Sequence, residues 1–331
     1  MKRISLLLLV FVLISTIAFT SFGASTEKIV IRMASGAQPT MPATMAAQKF
    51  ADLVKERTNG RIEIEFFTSL ALGEDAAIFE QLINGTIELG ALGSAAYGPY
   101  TKLLNVLQLP FLLNSYDKEF AAAKSEELKD IFAAMEPLLG VKILALHEHG
   151  IRHIANNIRP VKSLEDIKGL KLRTVPNALM NDALKALGAS PVALGYGECY
   201  TALQNKVIDG LEINFTSTFS QKFYEVLKYF TKVGLWPFPQ LLTVNLDFFN
   251  SLSPEDQQIF LEAAAESTEV SRAILVEHEE LALKTMEDAG MEVIEITDVQ
   301  PFIDATKEVY DTYSAADPLM KKFVDMAKNL K

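Results

Sequence analysis

The chain has 331 residues, a formal net charge of -11, 49% hydrophobic residues and one cysteine, Cys199. Without basic clusters this acidic balance excludes a nucleic-acid binder. The lone thiol excludes an internal disulfide, so stability rests on a packed core, for which the length suffices over two lobes.

Lys2 and Arg3 precede an apolar run at 6–14 that continues with interruptions to Phe22, and the small residues Ser21, Gly23 and Ala24 close it. A basic start, an apolar middle and small residues at the end form the pattern of a secretory signal peptide. Residues 1–23 are read as that segment, with cleavage after Gly23 or, alternatively, Ala24. An uncleaved anchor is the competing reading, since the stretch is nearly long enough to span a bilayer. No cysteine near the cut offers a lipid attachment point. No later run is apolar enough to cross a membrane, so the mature chain is expected in a periplasmic or other extracytoplasmic space.

The run Lys-Ile-Val-Ile-Arg-Met at 28–33 reads as a buried strand, followed by a Gly-, Pro- and Thr-rich loop at 35–42. Residues 43–57 read as a helix, with Ala43, Ala46, Ala47, Phe50, Ala51 and Val54 on one face. Asn59 and Gly60 end it, both suited to a left-handed cap. Residues 61–67 alternate polar and apolar as a strand; 75–84 form a second helix stopped at Gly85; 87–92 form a third strand. This alternation predicts a parallel sheet covered by helices. Ligands in such sheets sit beyond the carboxyl ends of the strands, so the loops at 35–42, 68–75 and 93–100 are expected to line a cleft.

A second unit begins near 141–146 and continues as strand 171–175, helix 178–187, helix 198–205 and strand 210–214. Residues 254–289 read as one very long helix or two broken ones. Ser253 is placed to cap it, with Asp256 three residues on, and Gly290 stops it. At ~1.5 Å per residue such a helix outruns one lobe and would brace two. No internal repeat or low-complexity tract is visible.

The run Gly-Leu-Lys-Leu-Arg-Thr-Val-Pro at 169–176 places Arg173 in a strand that Pro176 ends, with Lys171 and Arg173 on one side and Leu170 and Leu172 on the other. An arginine near the end of a buried strand needs an anion, and its planar fork matches a carboxylate. A salt bridge within the protein, or a surface position, is the alternative reading. His147, His149 and His153 could form a zinc set on a strand edge, but the spacing matches no helical metalloprotease pattern, and hydrogen bonding at a cleft edge is preferred. Cys199 reads as a free buried thiol, since a nucleophile needs a base and none is indicated. No glycine-rich phosphate loop, nucleophile elbow or dinucleotide fingerprint occurs. Tyr97, Tyr196, Trp236 and Phe238 lie in Gly- or Pro-flanked settings, where each either packs in the core or walls a site for an organic anion.

Taken in order, several segments resemble the extracytoplasmic solute receptors of TRAP transporters, the DctP-type substrate-binding proteins. They include 49–65, Leu72-Gly73 with Asp75, 85–88, 109–111, 169–173, 200–204, Asp209-Gly210, 222–229 and 252–256. The resemblance covers essentially the whole mature chain. It implies an α/β fold of periplasmic-binding-protein type: two lobes, a ligand cleft between them and a long helix spanning both. Lobe I would comprise 24–149 and about 239–277, and lobe II 150–238 and about 278–331. By similarity Arg173 clamps the ligand carboxylate, Arg152 is a second basic contact, Tyr196 packs on the ligand and Asp75 accepts from ligand hydroxyls. Tyr97 and Trp236 are further candidates. The Asn that follows Asp-Gly-x-Glu in the family is replaced by Ile213, leaving Asn214 or Glu212 to serve. Sialic-acid binders carry Glu and Arg in the loop that is Gly-Ser-Ala-Ala at 93–96 here, which argues against that ligand. The resemblance implies no catalysis, no cofactor, a monomer, a small organic acid as ligand and TRAP permease subunits as partners. A secreted metal-dependent enzyme using the three histidines, and a ligand-sensing receptor module, are the rival readings.

Overall fold

The computed structural model describes residues 28–330, so the signal segment read at 1–23 lies outside the described residues. The chain begins as expected: β1 (Ile29–Ala34), α1 (Pro42–Arg57), β2 (Ile62–Phe67), α2 (Asp75–Ile83) and β3 (Leu89–Gly93). β1 pairs in parallel with both β2 and β3. Two helices, α3 (Tyr116–Ala123) and α4 (Glu126–Leu139), then lead to β4 (Val141–His147). The chain next builds β5 (His153–Asn156), β6 (Lys171–Thr174), α5 (Ala178–Ala186), β7 (Ser190–Ala193), α6 (Cys199–Gln204), β8 (Gly210–Ile213), α7 (Phe215–Ser220) and β9 (Tyr229–Lys232). It closes with β10 (Gln240–Asn245), α8 (Leu246–Ser251), α9 (Pro254–Asp288), β11 (Glu292–Glu295), α10 (Gln300–Ser314) and α11 (Pro318–Ala327).

These strands form two sheets, ordered β2-β1-β3-β10-β4 and β11-β9-β5-β8-β6-β7. Each is the centre of one lobe. The chain passes between them at 148–152 and again at 233–239, and the two crossings are bonded to each other. Arg152 N–H donates to Trp236 O at 2.7 Å, and Leu235 N–H donates to Arg152 O at 2.8 Å. Gly150 sits in this crossing at φ +106°, a conformation that side chains rarely adopt.

Residues 254–288 form one unbroken helix of 35 residues, about 50 Å long at ~1.5 Å per residue. Ser253 Oγ accepts from Asp256 N–H at 3.1 Å, Pro254 opens the first turn, and neither Gly nor Pro recurs before Gly290. Its Phe260, Ala263 and Ala264 pack in a core with Phe50 and Ile62, while Ala282 and Met286 pack with Phe215, Phe223 and Phe230. One helix therefore buries residues in both lobes. Small side chains let it meet the end of β4 closely: Ser267 Oγ lies 2.9 Å from His147 Nε2, and Ser271 Oγ accepts from Glu148 N–H at 2.7 Å.

The C-terminal segment does not pack as one block with the second lobe. Phe302 of α10 lies among Met180, Leu184 and Trp236, whereas Met320, Phe323, Val324 and Ala327 of α11 lie among Leu128, Ile131 and Met135 of α4 in the first. The apolar face of α11 finds its partner there.

Candidate functional site

Between the lobes lies a cavity of about 250 Å³. The first lobe reaches it through the end of β1, the start of α2 and the end of β3, so all three loops expected to face a cleft contribute residues. The second lobe reaches it through the end of β6, the turn at Tyr196 and the start of α7, and the crossing segments supply His149, Arg152 and Phe238.

Arg173 is the penultimate residue of β6, in register with Val192 of β7 on one side and Leu211 of β8 on the other. It is 2% exposed. Its Nε donates to Leu194 O at 3.0 Å, while Nη1 has no partner. No acid among the described residues pairs with it, so the internal ion pair weighed from the sequence is absent. A buried guanidinium facing a cavity with a free donor is a standing demand for an anion.

Arg152 is built differently. Its Nε lies 3.4 Å from Glu212 Oε2, and Nη1 donates to Glu212 O at 3.2 Å. The guanidinium also stacks over Phe238, 4.0 Å from the ring centroid. Burial draws its pKa down, and the Glu212 carboxylate opposes that shift. Arg152 thus brings most of its own counter-charge, and Arg173 does not.

Asp75 starts α2, and each of its carboxylate oxygens takes a backbone N–H, from Gly36 at 3.0 Å and Gly93 at 2.8 Å. Burial pushes its pKa up to about 6, against the pull of these two donors. Its first task is to hold two cavity loops together. The neighbouring Glu74 spans the cleft: its carboxylate accepts from Tyr196 N–H at 3.0 Å and Gly197 N–H at 2.9 Å. Tyr196 itself lines the cavity, with its hydroxyl unpartnered.

Four expected contacts stand behind the wall instead. Glu212 is wholly buried, receives Thr174 Oγ1 at 3.4 Å and serves as counter-ion to Arg152. Asn214 caps α7, accepting from Ser217 N–H at 3.0 Å, and donates to His149 O at 2.6 Å. Tyr97 packs against Phe79 with its hydroxyl bonded to Thr243 in the first core. Trp236 is fully buried in the second. Conversely, Ser217 and Glu74 line the cavity with no sequence signal to mark them, while Phe238 and His149, read only as a wall or core aromatic and as a cleft-edge histidine, line it too. Pro237 and Pro239, which flank Phe238, were the available signal, since they hold it in an irregular crossing segment.

The histidines do not converge. His147 is bonded to Ser267, His149 faces the cavity, and His153 Nδ1 accepts from Gly234 N–H at 3.0 Å between Phe215 and Phe230. Burial holds all three neutral, with pKa values pushed down to about 3. Among the described residues no group of three or more His, Cys, Asp or Glu side chains is placed to hold a metal. Cys199 is buried, donates from Sγ to Gly195 O at 3.3 Å, and burial raises its thiol pKa, which suits an inert thiol.

Residues 33–317 match the model of the bacterial extracellular solute-binding proteins, family 7 (DctP). The chain is 33% identical over 261 residues to the 2,3-diketo-L-gulonate-binding periplasmic protein YiaO of Escherichia coli K12, covering 79% of each chain. It is 32% identical over 272 residues to the C4-dicarboxylate-binding periplasmic protein DctP of Rhodobacter capsulatus, covering 82% of this chain and 81% of that one. It superposes with a TM-score of 0.87 on a TRAP periplasmic solute-binding protein of Roseobacter denitrificans solved with bound β-D-glucuronate, at 30% identity over 91% of this chain and 100% of that one. With two lobes, a long bracing helix and one cavity-facing arginine left without an acid, the chain belongs to the DctP family of bacterial extracellular solute-binding proteins, a family of receptors rather than enzymes.

Proposed function

We propose that the protein is an extracytoplasmic receptor that captures a small organic carboxylate between its lobes and passes it, chemically unchanged, to the membrane subunits of a TRAP transporter. Arg173 takes the carboxylate, Arg152 adds positive potential, Tyr196 packs against the ligand, and Asp75 receives at most one ligand hydroxyl. The lobes divide at the two crossing segments, with α11 returning to the first lobe. Residues 1–23 direct export and are removed. No helix of the described residues is long and apolar enough to cross a membrane. The observation that carries this reading is the unpartnered Nη1 of a buried arginine inside an interlobe cavity.

Thermal unfolding of the purified monomer tests it. A matched carboxylate at a hundred times its Kd stabilises by about 2.7 kcal/mol, whereas the corresponding neutral amide gives no shift. Equal stabilisation by acid and amide, or stoichiometric zinc in the purified protein, contradicts the proposal.

A further inference from the structure

We infer that the ligand is a small monocarboxylate with an apolar body, not a polyhydroxylated sugar acid. This rests on the reading of the cavity as a carboxylate receptor and adds the chemistry of the rest of the ligand.

The cavity is divided by polarity. From the first lobe its wall is Ala37, Ala76, Ala95, Ala96 and Pro99. None of these side chains carries a hydrogen-bonding atom. The two acids beside them spend half of their acceptor capacity on the protein: both oxygens of Glu74 receive backbone N–H groups across the cleft, and both oxygens of Asp75 receive those of Gly36 and Gly93, so Asp75 is left with one ligand hydroxyl at most. Beyond the end of β6 the chain supplies Val175 and Pro176, again apolar. Phe238 adds an aromatic surface. It lies so close to Gly93 that a Cβ there would come within 2.7 Å of the ring.

The unpartnered polar atoms gather on the other side. Arg173 Nη1, His149 Nε2 and Tyr196 Oη have no partner within the protein. His149 is neutral, so its free ring nitrogen can donate to or accept from a neutral oxygen. With the Ser217 hydroxyl, which also lines this side, the set can satisfy one carboxylate and one or two further oxygens beside it. A hexuronate such as the glucuronate of the Roseobacter structure must also place several ring hydroxyls. Apart from one that Asp75 can receive, hydroxyls placed against alanine and proline would lose their water without replacement, at about tenfold in affinity per hydroxyl. A second carboxylate would find no second uncompensated cation, because the charge of Arg152 is already paired with Glu212. The volume of about 250 Å³ falls below the ~300–1,000 Å³ of sites for drug-sized ligands and suits a small acid; the polarity of the wall, not its size, selects the body.

Titration calorimetry of the wild-type protein with four acids decides it: 4-methyl-2-oxopentanoate, phenylacetate, D-glucuronate and succinate. The inference predicts that at least one of the first two binds about 100-fold or more tighter than either of the others, with a negative heat-capacity change from apolar burial. Tighter or equal binding of D-glucuronate or succinate overturns the inference and leaves the carboxylate receptor standing. Failure of all four to bind folded protein overturns both.

Discussion

Replacing Arg173 with lysine is expected to weaken carboxylate binding by hundreds- to thousands-fold. Breaking a buried charge pair by removing one member costs about 3–5 kcal/mol, and each ~1.4 kcal/mol is tenfold in Kd. Lysine keeps the charge but loses the planar fork, and its ammonium must be desolvated at a site where a strand fixes only the backbone. Arg173→Met makes the complementary measurement. No protein group pairs with Nη1, so without ligand the fold carries a buried charge that no acid of its own offsets. The methionine variant should therefore lose binding in calorimetry while its ligand-free melting temperature stays at or above that of the wild type. A fold that sacrifices stability to hold a binding group ready behaves this way. Intact affinity in Arg173→Lys, or a strongly destabilised Arg173→Met, would contradict the clamp.

The opposite sign is expected at Arg152. Arg152→Met strands Glu212, which is wholly buried and has the arginine as its ionic partner. A loss of about 3–5 kcal/mol is expected in urea unfolding, read from the shift in midpoint at unchanged slope. Adding Glu212→Gln should recover much of that loss, because the uncompensated charge disappears, even though the stacking on Phe238 is not restored. Two arginines in one cavity thus answer to different partners, one to the protein and one to the ligand. A double variant no more stable than Arg152→Met would show that the pair does not act as a unit.

The first lobe was legible because its strands and helices are long enough for periodicity to declare itself. In α1 the alanine and phenylalanine positions recur on one face, and β2 alternates over 62–67. The second lobe was less so. β5, β7, β9 and β11 have four residues each, too few for a period, and β7 contains Pro191. That proline is tolerated because β7 lies at the edge of its sheet, a fact of assembly that no local pattern carries. The long helix was legible in its cap and its stop, but whether it broke between them depended on two separate cores receiving its two halves.

The candidate site divides in the same way. Arg173, Arg152, Tyr196 and Asp75 meet at the cavity because they lie at ends of elements, where the order of strands and helices already placed them. Tyr97 and Trp236 looked equally exposed in sequence, but long-range packing claims them: the hydroxyl of Tyr97 is bonded to Thr243, 146 residues away. Glu212 and Asn214 sit one step behind the wall. Glu212 neutralises Arg152, 60 residues away, and Asn214 caps α7 locally while its amide donates to His149 O, 65 residues away.

The most direct measurement is a crystal structure of the protein grown with a carboxylate that stabilises it. A carboxylate oxygen about 2.7–2.9 Å from a terminal nitrogen of the Arg173 guanidinium, with the lobes closed over it, is the predicted result. A ligand bound elsewhere, or an Arg173 whose free donor has turned to an acid of the protein itself, would contradict it.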